Sequence, residues 1–187
     1  MGSDSPCPTT APVLILLRGN SGSGKSTVAA ALRQAYGRGL AIIGQDVVRR
    51  EILRERDLPG AANITMIDLM ARHALAHGFH VVVEGIMYAE RYGDMLSALV
   101  RDHRGASHAY YFDLPFEETV RRHAGKPIAH EIGEAELRAW WRPCDLLSNV
   151  VEQIIDESSS LESTVERVLQ DTSLLTMATG RPGHRTP

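Results

Sequence analysis

The chain has 187 residues, 43% of them hydrophobic and 23% charged, which suits one globular domain with a substantial core. Its formal net charge of -3 excludes bulk attraction to nucleic acid or to an anionic membrane. No apolar run approaches the roughly 20 residues that span a bilayer.

Residues 1–12 are rich in Ser, Pro and Thr and read as a flexible leader with neither the basic nor the apolar region of a secretion signal. Cys7 and Cys144 are spaced neither as a metal site nor as a disulfide framework, so a reduced, cytoplasmic setting is expected. Residues 13–17 are too uniformly apolar to alternate and read as a strand buried on both faces. A helix is expected over 26–36, stopped by Gly37 and Gly39, then a second strand over 40–43. Gln45-Asp46 should open a helix running to about Arg56, followed by a loop over 58–62. Asn63 or Thr65 can cap a helix reaching His77, with Ile64, Ile67, Met70, Ala71 and Ala74 on one face.

Residues 79–85 form a third expected strand that ends in Glu84-Gly85, with a helix over 90–102 after it. A fourth strand is expected over 109–114, ending at Asp113. Pro115, Glu117 and Glu118 open a helix to Ala124, as the positive end of the helix dipole prefers. Gly125-Lys126-Pro127 breaks it, and a short helix follows over 134–141. A fifth strand within 150–156 and a last helix over 161–170 complete a domain of residues 13–171, leaving 172–187 as a flexible tail. Strands that alternate with helices predict an open parallel five-stranded sheet with helices on both faces. Ligands in such sheets bind beyond the carboxyl ends of the strands.

The most specific signal is Gly19-Asn20-Ser21-Gly22-Ser23-Gly24-Lys25-Ser26-Thr27, which fits G-x-x-x-x-G-K-[ST] at every fixed position. Glycines let the main chain come close to phosphates, and successive N–H groups make an anion-binding nest at the start of a helix. Lys25 is placed for the β- and γ-phosphates of ATP, and the Ser26 hydroxyl for Mg²⁺. No N-K-x-D stretch is present to read guanine, the chain is short for a motor domain, and the third strand ends in a single acid. These features point to a kinase of small molecules, which needs an acceptor-hydroxyl base and a basic lid.

Asp46, just past the second strand, is the candidate base, and Arg49, one turn on, the candidate substrate-binding cation. Glu84 either supports Mg²⁺ through water or binds the acceptor. Residues 121–142 make the candidate mobile lid, in which Arg122 and Lys126 are nucleotide-binding cations with Arg121 as a further candidate. His123 and His130 are read as surface histidines, and Trp140-Trp141 as core packing. Arg138 and Arg142 read either as lid cations or as surface charge. Arg49, Arg50, Arg54 and Arg56 would suit a phosphorylated acceptor if they faced it, and a solvated helix if they did not.

The phosphate loop, Asp46-x-x-Arg49, Val83-Glu84-Gly85 and Phe112-Asp113-Leu114-Pro115 with Arg122 resemble the P-loop small-molecule kinase superfamily. Chloramphenicol phosphotransferase and the tunicamycin-resistance protein look like its nearer members, and zeta-toxin and gluconate kinases more distant ones. The resemblance implies a catalytic trio of Asp46, Lys25 and Arg122, with Lys126 standing where an arginine is more usual. It also implies an antibiotic or nucleoside-type natural product as the hydroxyl acceptor, phosphorylated for self-resistance. A metabolic sugar, nucleoside or nucleotide kinase is the alternative enzyme. A nucleotide-gated regulatory protein without phosphoryl transfer is the alternative of another class. A nucleic-acid or membrane partner is disfavoured, and both monomer and homodimer stay open.

Overall fold

A computed structural model describes residues 11–124 and 133–174, and shows a parallel sheet of five strands flanked by helices. In chain order the elements are β1 (Leu14–Gly19), α1 (Lys25–Tyr36), β2 (Leu40–Gly44) and a π-helical turn (Val47–Ile52). Then come α2 (Ala62–Ala76), β3 (His80–Gly85), α3 (Ala89–Asp102), β4 (Ser107–Phe112) and α4 (Phe116–Ala124). α5 (Glu134–Trp140), β5 (Gln153–Ile155) and α6 (Leu161–Asp171) close the series.

The strands lie in the order β2-β3-β1-β4-β5. β1 is therefore central, paired in parallel with β3 on one side and β4 on the other. Its apolar run follows from that position. Successive strand side chains point to opposite faces, so Leu14 and Leu16 pack with Ile67, Tyr92 and Leu96 of α2 and α3. Ile15 and Leu17 pack with Val28, Leu32 and Val168 of α1 and α6. Helices thus cover both faces, as the alternation of strands and helices predicts. The chain leaves β1 toward β2 and leaves β3 toward β4, in opposite directions across the sheet. The loops after β1 and β3 diverge there and open a crevice at the carboxyl ends.

Several local expectations change in the folded chain. The helix expected from Gln45 to Arg56 is instead a short wide turn, with Leu53 N donating to Val48 O at 3.0 Å, and Arg54 leaves it at φ +52°. β-Branched Val47 and Val48 at its start favour no tight winding, and the turn has an ion pair to satisfy, described below. α2 is capped neither by Asn63 nor by Thr65. Glu55 reaches over from upstream and accepts from Ala62 N at 3.2 Å and Asn63 N at 2.5 Å. Hydrogen bonding from Asn63 leads the effects that hold the Glu55 carboxyl below its ordinary range. β5 is only the core of the expected 150–156 strand, and Val151 stands exposed. β4 ends at Phe112, one residue before Asp113. Packing continues past Asp171: Thr172 and Leu174 are buried, three residues beyond the expected domain edge in the case of Leu174.

One buried polar cluster ties the segments on either side of the π-helical turn to α2 and α3. The Tyr92 hydroxyl accepts from Gln45 Nε2 at 2.8 Å and lies 2.7 Å from Asp57 Oδ1 and 2.8 Å from Asn63 Oδ1. Removing that hydroxyl strands the buried Gln45 and Asn63 groups. Tyr92→Phe is expected to destabilise the protein by about 1–3 kcal/mol in urea unfolding, and a change within error would show the cluster to be dispensable.

Candidate active site

The loop between β1 and α1 has the backbone its glycines imply. Gly22 and Gly24 sit at φ +81° and +100°, and Gly24 is the left-handed N-cap of α1. Lys25 is buried, and its ammonium donates to Asn20 O at 2.7 Å and Ser23 Oγ at 3.1 Å, across the mouth of the loop. A Cβ on Gly22 would lie 2.5 Å from Thr119 O of α4. Gly22→Ala therefore combines left-handed strain with a backbone clash. It is expected to weaken binding of a non-hydrolysable ATP analogue about 10-fold or more. Gly37→Ala is the control: it shares the positive φ (+88°), but nothing lies within 4 Å of its Cβ. Equal loss of affinity in both variants would count against the clash.

Ser26 Oγ donates to Glu84 Oε2 at 3.0 Å, joining the start of α1 to the end of β3. Ser21, Gly22, Lys25, Ser26, Asp46 and Glu84 all line one small cavity. The hydroxyl and the two carboxylates are hard oxygen donors of the kind Mg²⁺ takes, so the donor set fits that ion. Asp46 is 63% exposed, and its Oδ1 is held by Arg49 Nη2 at 2.9 Å and Arg50 Nε at 3.2 Å. The wide turn brings both arginines to the same oxygen. Both ion pairs fall on Oδ1, and Oδ2 of Asp46 has no partner among the described residues.

Arg122, on α4, lies over the loop. Its Nη1 is 3.3 Å from Ser23 O, and its Nε donates to Glu118 Oε1 at 2.6 Å. Arg121 is more exposed and grips the same carboxylate twice at 2.7 Å. The Arg121 and then the Arg122 hydrogen bonds hold the Glu118 carboxyl at about 2. Glu118 thus aims Arg122 at the loop, while Arg121 is turned away from it. Lys126 and His130 lie outside the described residues. His123 is buried, not on the surface: α4 turns it inward on the same face as Phe116 and Thr119.

Asn20 does more than contribute a backbone amide. Its side chain clasps the backbone of Arg142, with Nδ2 donating to Arg142 O at 2.7 Å and Oδ1 accepting from Arg142 N at 2.8 Å. A second clamp sits beneath it. Arg18 is fully buried, and its guanidinium bonds Glu152 at 2.8 and 2.9 Å, Asp145 Oδ2 at 3.0 Å and Met87 O. Together they fix the segment after α5 against the carboxyl ends of β1 and β3. No apolar pattern marks Arg18 as buried. An arginine inside an apolar strand, in Leu14-Ile15-Leu16-Leu17-Arg18, was the available signal.

Two larger cavities flank the loop. Toward α1 and α6, one of about 250 Å³ has apolar walls of Val28, Phe112, Ile155 and Leu161, with Arg122 and Ser160 at its polar end. That form suits a flat ring attached to phosphates in the loop. On the other side lies a cavity of about 450 Å³ bounded by the π-helical turn, the loop after β3, α3 and the end of α5. Arg49, the candidate substrate-binding cation, lines it. So do Arg91, Arg142, Tyr88 and Trp140, which sequence reasoning left out or assigned elsewhere. Trp140 is half-buried in this wall and not a core side chain. Trp141 meets Phe116 edge-on at 6.2 Å.

The site thus joins a phosphate loop after the central parallel strand, carboxylates just past β2 and at the end of β3, and an arginine over the loop. The chain belongs to the AAA_33 family, described as an AAA domain, whose model matches residues 14–147. Its fold is similar to the APS kinase CysC of Mycobacterium tuberculosis, solved in complex with AMPPNP and APS. That likeness has 18% identity and a TM-score of 0.61 and covers 89% of this chain and 99% of that one. A gluconokinase from Sinorhizobium meliloti is similar at 20% identity and a TM-score of 0.58, covering 91% and 95%. A sugar kinase from Janibacter is similar at 17% identity and a TM-score of 0.63, covering 90% and 98%. At these identities the likeness is one of fold. No curated protein matches the chain. No helix among the described residues is long and apolar enough to cross a membrane.

Proposed function

We propose that this protein is an ATP- and Mg²⁺-dependent phosphotransferase acting on a hydroxyl of a small molecule. The observation that carries the reading is the single small cavity shared by Lys25, Ser26, Asp46 and Glu84 at the carboxyl ends of β1, β2 and β3. In this reading the loop amides and Lys25 hold the β- and γ-phosphates, and the apolar cavity by Phe112 and Ile155 takes the base. Ser26, with Glu84 behind it, would hold Mg²⁺, which would supply neutralisation of the phosphate charge.

Asp46 Oδ2 accepts the proton of the acceptor hydroxyl as its oxygen bonds to the γ-phosphorus. The bond from that phosphorus to the β-bridging oxygen breaks, and ADP leaves. Arg49 and Arg50 hold the Asp46 carboxylate in place, so the base is oriented before the acceptor arrives. Arg122, aimed by Glu118, neutralises charge on the transferring group.

For the acceptor, the resemblance to antibiotic phosphotransferases supports an antibiotic or nucleoside-type natural product, modified for self-resistance in the cytoplasm. The arginines around the larger cavity favour a second reading, a metabolic kinase of a phosphorylated sugar or nucleotide. The test is a turnover screen with ATP and Mg²⁺ read by mass spectrometry, against nucleoside and other hydroxylated antibiotics, sugars, nucleosides and their phosphates. Gain of one phosphoryl group on one acceptor class is the expected result. Tight ATP binding with no acceptor modified across the panel would count against a kinase and favour a regulatory nucleotide-binding protein.

A further inference from the structure

The cavity of about 450 Å³ beside Asp46 has an unusual charge. Arg49, Arg50, Arg56, Arg91 and Arg142 line it, against the single carboxylate of Asp57. Five guanidiniums crowded on one hollow repel one another unless something anionic offsets them. The protein offsets only some. Arg91 Nη1 is taken by Asp57, at 2.6 Å to its carbonyl and 3.1 Å to Oδ2. Arg49 and Arg50 share one oxygen of Asp46. Arg56 and Arg142 have no carboxylate partner among the described residues. Arg49 Nε is buried and makes no hydrogen bond.

The arginines are also held in place. Arg91 and Arg142 both lie on the Tyr88 ring, at 5.2 and 5.5 Å from its centre. Tyr88 is itself anchored through its hydroxyl to Trp140 O at 2.5 Å. Asn20 fixes the backbone of Arg142 from the phosphate loop. Pre-positioned guanidinium forks match the paired oxygens of phosphate and sulfate esters, where lysine would offer only a point charge.

The hollow is continuous with the reaction centre. Ile86 lines both cavities, and Asp46 in the small one bonds Arg49 and Arg50 in the large one. The volume is of the size that takes a small metabolite. We infer that this cavity is a receptor for a phosphate or sulfate ester, so the acceptor arrives already carrying a tetrahedral oxyanion at one end and presents its hydroxyl to Asp46 with the other. This rests on the phosphotransferase reading for the hydroxyl end. The anion end stands on the arginines alone.

The test is calorimetric titration of the protein saturated with AMPPNP and Mg²⁺, so that the phosphate loop is already taken. The probes are matched sets: ribose and ribose 5-phosphate, adenosine with adenosine 5′-monophosphate and adenosine 5′-phosphosulfate, and gluconate as a carboxylate. At least one ester is expected to bind about 10-fold or more tightly than its neutral partner and than gluconate. The sugar and nucleotide arms tell which kind of ester is preferred. Arg56→Gln with Arg142→Gln is expected to erase that preference, and the matching Arg→Lys pair to restore part of it. Arg56→Gln alone serves if the double variant melts early.

Esters that bind no better than neutral partners, or that bind the double variant as well as the wild type, would overturn the inference. Phosphorylation of a neutral acceptor in preference to every ester would overturn it too and leave the phosphotransferase reading standing. Ester binding through the arginines without transfer to any acceptor would keep the anion receptor and remove the kinase.

Discussion

Asp46→Ala is expected to abolish most phosphoryl transfer while the protein still binds ATP. A positioned general base contributes about 10²–10⁴-fold, and the loss should fall on kcat. Nothing in the phosphate loop depends on Asp46, because Lys25 is held by Asn20 and Ser23, and Ser26 by Glu84. Affinity for AMPPNP should therefore match the wild type. The variant also removes the countercharge from Arg49 and Arg50. An anionic acceptor should then show an unchanged or lower KM, never a higher one, and this split separates a lost base from a collapsed pocket. Transfer within a few-fold of wild type would remove Asp46 from the mechanism.

Arg18→Ala is expected to cost the most stability of any single change. Glu152 has a side chain only 1% exposed, and Arg18 is its bidentate partner. Removing one member of a buried pair leaves an uncompensated charge, at a cost of about 3–5 kcal/mol. For a chain of this length that corresponds to a fall in Tm of roughly 6–20 °C. The carbonyls of Met87 and Asp145 would lose a donor as well. Arg18→Met combined with Glu152→Gln should recover much of the loss, since neither side chain is then charged. A double variant no better than the single would show that packing, not charge, is at stake. The same change should loosen the segment carrying Arg142, which keeps its bonds to Asn20, Tyr88 and Tyr111 but loses the buried clamp, so acceptor affinity should fall with stability.

The sheet and the phosphate loop were legible because their signals are local. A short apolar run without alternation, bounded by a glycine-rich turn, suits a strand buried on both faces, and the β1 register between β3 and β4 gives that burial. Gly19 to Thr27 encodes its own backbone conformation. Asp46 and Glu84 follow from their places at strand ends, where parallel sheets expose ligands. Helix caps and exposure were less legible. Glu55 caps α2 from outside it, and His123 is carried inward by the face its helix presents. Composition and period do not tell a solvated arginine from one in a cavity wall.

The sequence by itself determined the strand-and-helix alternation, the phosphate loop and the carboxylates at its rim, because each depends on neighbours a few residues away. Tertiary structure alone decided the strand order, the Arg18 clamp and the arginine-lined hollow. Arg18 meets Glu152 across 134 positions, and the hollow gathers Arg49, Arg50 and Arg56 with Arg91 and Arg142 from three separate segments. Charges so far apart in the chain meet only when the sheet order brings the ends of β1, β2 and β3 side by side. The physical reason is that local sequence specifies backbone conformation, whereas the sign of a pocket is the sum of side chains that only the completed fold sets around one space.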